Sequence, residues 1–83
     1  MNAGKINAME VIKKLDGWYG PGQGFSVYTT IMPGILRDFN QMLQENPGQT
    51  VQEEYRLEDG KGSLFLSGRL LKNGEQEIEI RCQ

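Results

Sequence analysis

Histidine is absent from this 83-residue chain, and cysteine occurs once, as Cys82. Without histidine, no serine, threonine or cysteine nucleophile has its customary base. A lone cysteine forms no internal disulfide, so nothing in the thiol content points to an oxidising compartment. The same two facts argue against zinc, whose sites draw several Cys and His ligands together. Long apolar runs are missing as well: no stretch approaches the roughly 20 residues that span a bilayer. The N-terminal segment MNAGKINAMEVIKKLDG has no apolar centre of the signal-peptide kind. There is no run of basic residues to act as an electrostatic footprint for nucleic acid. These absences give the first expectations: a cytoplasmic protein, not an enzyme, with no metal, no cofactor and no membrane partner.

What is present is small and balanced. Nine basic and eleven acidic side chains leave a net charge of −2, and 37% of residues are hydrophobic. That composition suits one small globular domain spanning 1–83 rather than a disordered tail. A domain of this size buries only about 60% of its unfolded surface, so a partner or a second copy is a natural source of further stability.

The first helix is expected over about 7–16. Asn7 and Glu10 have capping-box spacing, and Ile6 and Val11 have the spacing of a hydrophobic staple. Val11, Ile12 and Leu15 follow at helical intervals, and Gly17 is placed to stop the helix. The second helix is expected over about 31–45. Met32, Ile35, Leu36, Phe39, Met42 and Leu43 form one stripe, Pro33 suits a first turn, and Asn46-Pro47 ends it. Between the helices, FSVYTT is β-prone, and a short extra strand at 25–29 is an open alternative to an extended lead-in.

From residue 50 the period changes to two. Strands are expected at about 50–58, 63–71 and 75–82, separated by the turn chemistry of DGKG and KNG. A two-residue turn at Gly60-Lys61 sets Val51 opposite Leu70, Tyr55 opposite Leu66 and Leu57 opposite Leu64. For the second hairpin, a two-residue Asn73-Gly74 turn would point the apolar set of the last strand the wrong way. A three-residue loop, Lys72-Asn73-Gly74, instead sets Leu66 opposite Ile80, Gly68 opposite Ile78 and Arg69 opposite Glu77, with Gly74 in a G1 bulge. The fold expected is therefore α+β: two amphipathic helices packed on one face of a three-stranded antiparallel β-meander.

Two regions carry functional potential. The first is GWYGPGQGF, with four glycines in nine residues, Gly17 to Phe25. A Walker loop needs a lysine followed by serine or threonine after its last glycine, and none stands there. A dinucleotide fingerprint needs a strand before the glycines, and here a helix precedes them. The stretch reads first as a hinge lidded by Trp18 and Tyr19, and second as a partner-gripping loop in which those two aromatics are the anchors. The second region is the outer sheet face, which carries Glu54, Arg56, Phe65, Ser67, Arg69, Glu77, Glu79 and Arg81. The expected register puts Phe65 between Arg56 and Arg81, an aromatic flanked by guanidinium groups, as hot spots often are.

The function expected is a small non-enzymatic protein–protein interaction module, an adaptor, accessory subunit or inhibitor of a larger protein. Its partner-binding residues would be Phe65, Arg56, Arg69, Arg81, Trp18 and Tyr19. Size and acidity also associate the chain with inhibitors encoded by phages and mobile elements. A homodimer through an open sheet edge is a second partner class. The alternative function is a single-stranded nucleic-acid-binding module that stacks bases on Phe65. Cys82 falls on the core face of its strand and reads as a small buried hydrophobe.

Overall fold

The computed structural model describes residues 7–57 and 60–83. It has two helices, α1 (Ala8–Tyr19) and α2 (Gly24–Glu45). Three strands follow, β1 (Val51–Arg56), β2 (Ser63–Leu70) and β3 (Gln76–Cys82). The strands form one antiparallel sheet in the order β1-β2-β3, with both helices on one face, as the period-two and period-3.6 segments require. α1 lies on β3, and α2 lies on β2 and β1.

The helices differ from expectation at both ends of the glycine stretch. Asn7 makes no side-chain cap, and the staple residue Ile6 lies outside the described residues. α1 does not stop at Gly17. It runs on to Tyr19 and ends at Gly20, whose φ is 117° and whose N–H donates to the Asp16 carbonyl at 2.8 Å. A mid-helix glycine costs only about 1 kcal/mol relative to alanine. The longer helix sets against that cost the packing of Trp18 and Tyr19 on the core.

The optional strand at 25–29 is helical instead. The apolar period of α2 continues upstream through Val27, Tyr28 and Ile31, all packed on the core, and this packing overrides the strand propensity of Val, Tyr and Thr. Pro33 consequently lies well inside α2 rather than in its first turn. Both Pro33 and Thr29, the carbonyl partner it deprives, are exposed, so water meets the orphaned acceptor. Thr29 and Thr30 direct their hydroxyls back to the Ser26 carbonyl, at 3.0 and 2.8 Å, as threonines within a helix do.

The two helices form a tight hairpin. Asp16 of α1 accepts the N–H of Gly24, the first residue of α2, at 2.6 Å. Gly24 is buried against the Ile12 carbonyl and the Asp16 carboxylate, with no room for a Cβ. The hairpin thus owes its closeness to one missing side chain and one carboxylate cap.

The β2–β3 register is the expected one: Leu66 faces Ile80, Gly68 faces Ile78 and Arg69 faces Glu77. Gly74 takes φ 88°, and Leu71 donates to the Glu75 carbonyl across the three-residue loop at 2.8 Å. The β1–β2 register is shifted by two residues from expectation. Val51 faces Gly68, Tyr55 faces Leu64, and Leu57 donates to the Gly62 carbonyl at 3.0 Å. The loop from 58 to 61 is therefore longer than a two-residue turn; Glu58 and Asp59 lie outside the described residues.

The core joins Val11 and Leu15 of α1 to Met32, Phe39 and Leu43 of α2, and both to Leu57, Leu64, Leu66, Ile78 and Ile80. Gly68 lies under the Phe39 ring, 3.0 Å from where its Cβ would stand. Two polar ties pin α2 to the sheet: the Tyr55 hydroxyl donates to Asp38 at 2.7 Å, and the Gln76 amide donates to Asn40.

The candidate site is the open sheet face

Alternation along each strand sends every second side chain away from the helices. The outward set is Gln52, Glu54 and Arg56 on β1, Phe65, Ser67 and Arg69 on β2, and Glu77, Glu79 and Arg81 on β3. Phe65 is half-buried at the middle of this set. It forms a cross-strand row with Glu54 and Arg81, and the next row is Gln52, Ser67 and Glu79. Together with Gln83, these residues line a shallow concavity of about 330 Å³.

The register shift changes the neighbours of Phe65. Arg56 was expected beside it, but Arg56 faces Ser63, and Glu54 stands next to the ring instead. Glu54 is itself engaged: it accepts from the Ser63 hydroxyl at 2.8 Å and from Arg56 Nε at 3.4 Å. Arg69 stands opposite Glu77, but its guanidinium donates to Thr50 Oγ1 at 3.1 Å. Of the three arginines named from sequence, Arg81 is thus the one in the Phe65 row. Arg56 and Arg69 share the face at its two ends.

Trp18 and Tyr19 do not join this face. Both stand on the helix side of the sheet. The Trp18 ring rests on Gly62, 2.6 Å from where a Cβ would stand, and so fixes the end of α1 to the start of β2. Tyr19 lies under the Lys61 ammonium, 5.9 Å from its ring centre. Tyr19 also lines a second concavity of about 660 Å³ between α2 and β1, with Val27, Ile31, Ile35, Tyr55 and Leu57. Sequence reasoning missed this groove because it assigned the first turns of α2 to a strand or lead-in. The signal that would have found it is the apolar period of three and four running back from Ile35 through Ile31 to Val27.

The chemistry available elsewhere is limited. The amide end of α2 offers an anion site in principle, yet the Asp16 carboxylate already holds the Gly24 N–H and would repel a phosphate. Cys82 is half-buried beside the core; burial pushes its thiol pKa up, and nearby Lys14 pulls it partly back. Tyr55 has its pKa raised by burial and by its bond to Asp38. Among the described residues, no group of His, Cys, Asp and Glu could hold a metal ion. No helix among them is long and apolar enough to cross a membrane.

No family model matches the chain, nor does any curated protein or solved structure. The site's own geometry is therefore the basis for any functional reading.

Proposed function

We propose that the protein is a small non-enzymatic interaction module of the cell interior, which works by laying its open sheet face on a larger protein as an adaptor, accessory subunit or inhibitor. The observation that carries this reading is Phe65, half-buried at the centre of a sheet face that carries no helix among the described residues. Around it stand residues of both signs, Glu54 and Arg81 in its own row and Glu79 and Arg69 nearby. A central aromatic inside a polar rim is the composition of a protein interface.

The same arrangement disfavours the nucleic-acid alternative. A stacking platform works best with cations on both sides of the ring, and here a carboxylate occupies one side. Arg56, the cation expected there, is engaged with that carboxylate.

The test is affinity capture from a lysate of the source organism, with and without nuclease, comparing wild type with Phe65→Ala, Arg81→Ala and a Trp18→Ala/Tyr19→Ala double variant. Circular dichroism checks that each variant is folded. One stoichiometric protein, resistant to nuclease and lost with Phe65→Ala and Arg81→Ala, is the expected result. Recovery of nucleic acid, with affinity falling steeply as salt rises, would replace this reading with the alternative. Loss confined to the Trp18/Tyr19 variant would move the working surface to the helix side.

A further inference from the structure

We propose that β1 is a self-pairing edge, through which two copies of the chain join antiparallel into one six-stranded sheet. The inference goes beyond the open-face reading and does not depend on it.

Among the described residues, β1 has a strand neighbour on one side only. The bond from the Leu57 N–H to the Gly62 carbonyl fixes the phase of its ladder. Val51, Glu53 and Tyr55 turn their backbone groups toward β2, and Gln52, Glu54 and Arg56 turn theirs to the open edge. Cover is thin along this edge. On the helix side of β1, Val51 and Tyr55 are only half-buried and Glu53 is exposed. The groove of about 660 Å³ runs beside them, walled by Ile31 and Ile35 of α2. Glu54 and Arg56 also line that groove.

Charge selects the occupant and its register. Two copies related by a twofold axis pair antiparallel about one central residue. Centred on Glu53 or on Glu54, the strands set two identical carboxylates face to face. Centred on Arg56, they set two guanidinium groups face to face. Centred on Tyr55, Glu54 meets Arg56 of the partner subunit, and the twofold axis repeats that pair. This is the register among the four that opposes no like charges and forms two complementary pairs. It also turns outward-facing backbone to outward-facing backbone, as an antiparallel ladder requires. The two Phe65 faces then continue one another across the axis.

Sedimentation equilibrium over a concentration series tests the proposal, on wild type, Glu54→Pro, Glu54→Arg, Arg56→Glu and the double exchange Glu54→Arg/Arg56→Glu. Circular dichroism monitors folding. Proline at 54 removes an N–H that faces the open edge, so β2 pairing survives while edge pairing is blocked. Wild type is expected to dimerise with concentration, and Glu54→Pro to remain monomeric. Each single reversal should weaken dimerisation about tenfold, and the double exchange should return it to within about threefold of wild type. In a Cys82→Ser background, Tyr55→Cys should oxidise to a linked dimer, since the Cα atoms of such an unbonded pair lie about 4.5 Å apart. A wild type that stays monomeric up to about 1 mM overturns the proposal. So does a dimer that neither the reversals nor Glu54→Pro weaken. If Glu54→Pro does not fold, the charge-exchange series and the Tyr55→Cys cross-link decide.

Discussion

The two edges of this sheet obey the same alternation and are finished differently. On the β3 side, Ile78 and Ile80 are buried beneath α1, and Cys82 packs against the core. On the β1 side, the corresponding positions are Val51 and Tyr55, both half-buried, with exposed Glu53 between them. Period-two patterning thus fixes which face of a strand points inward. How well that face is covered depends on where a helix axis runs: a groove of about 660 Å³ separates α2 from β1, and a smaller one of about 250 Å³ separates α1 from β3.

Truncation is the strongest way to sharpen the contrast. Ile80→Ala is expected to destabilise by about 2–4 kcal/mol, because Ile80 is buried in the core and its truncation removes that packing. Val51→Ala, on the open side, should cost less than about 1 kcal/mol, since its methyl groups are already half in water. Urea unfolding of both variants measures the difference, and equal losses would erase the distinction between the edges.

Displacing the hairpin that carries both helices is the next effect in size. Gly24→Ala drives a Cβ onto the Ile12 carbonyl and the Asp16 carboxylate, and is expected to cost about 1–3 kcal/mol. If the urea midpoint does not move, the helices do not approach each other as described.

The smallest effect is a pH dependence on the open side. In the unfolded chain Tyr55 ionises near the ordinary value of about 10. In the folded chain burial and the bond to Asp38 hold its proton to higher pH. The stability this supplies is fully present below about pH 10 and is lost as pH rises toward the folded-state value. Tyr55→Phe removes this loss. The difference in stability between wild type and variant should therefore shrink above about pH 10, and a constant difference across that range would show that Tyr55 is not held this way.

Much of the architecture was legible because each class of element left its own period. The stripe from Met32 to Leu43 could only be a helix, and the alternation after residue 50 could only be strands. The second hairpin was legible in detail, since a one-residue error would have turned Ile78 and Ile80 to solvent. The first hairpin was not. A slip of two residues keeps every apolar side chain on its own face, so the pattern cannot distinguish Leu70 from Gly68 as the partner of Val51. The longer loop and the fit of Gly68 beneath Phe39 accompany the observed choice. That slip explains why Phe65 was readable from sequence but its neighbour Glu54 was not. The start of α2 was hidden for another reason: Val27, Tyr28 and Thr29 favour strands locally, and only packing on the core makes them helical.

The seating of α1 on β3 has a kinetic consequence. These are the first and last elements of the chain, and most other contacts join elements that follow one another directly in sequence. The helical hairpin and the strand meander are local assemblies that form with small loop-closure entropy, whereas α1 must wait for β3. Trp18 is the chain's single tryptophan, and its ring rests on Gly62 at the edge of that same junction. Its fluorescence is therefore a built-in reporter of the closing step, which brings the ring of Trp18 onto Gly62 as α1 seats on β3.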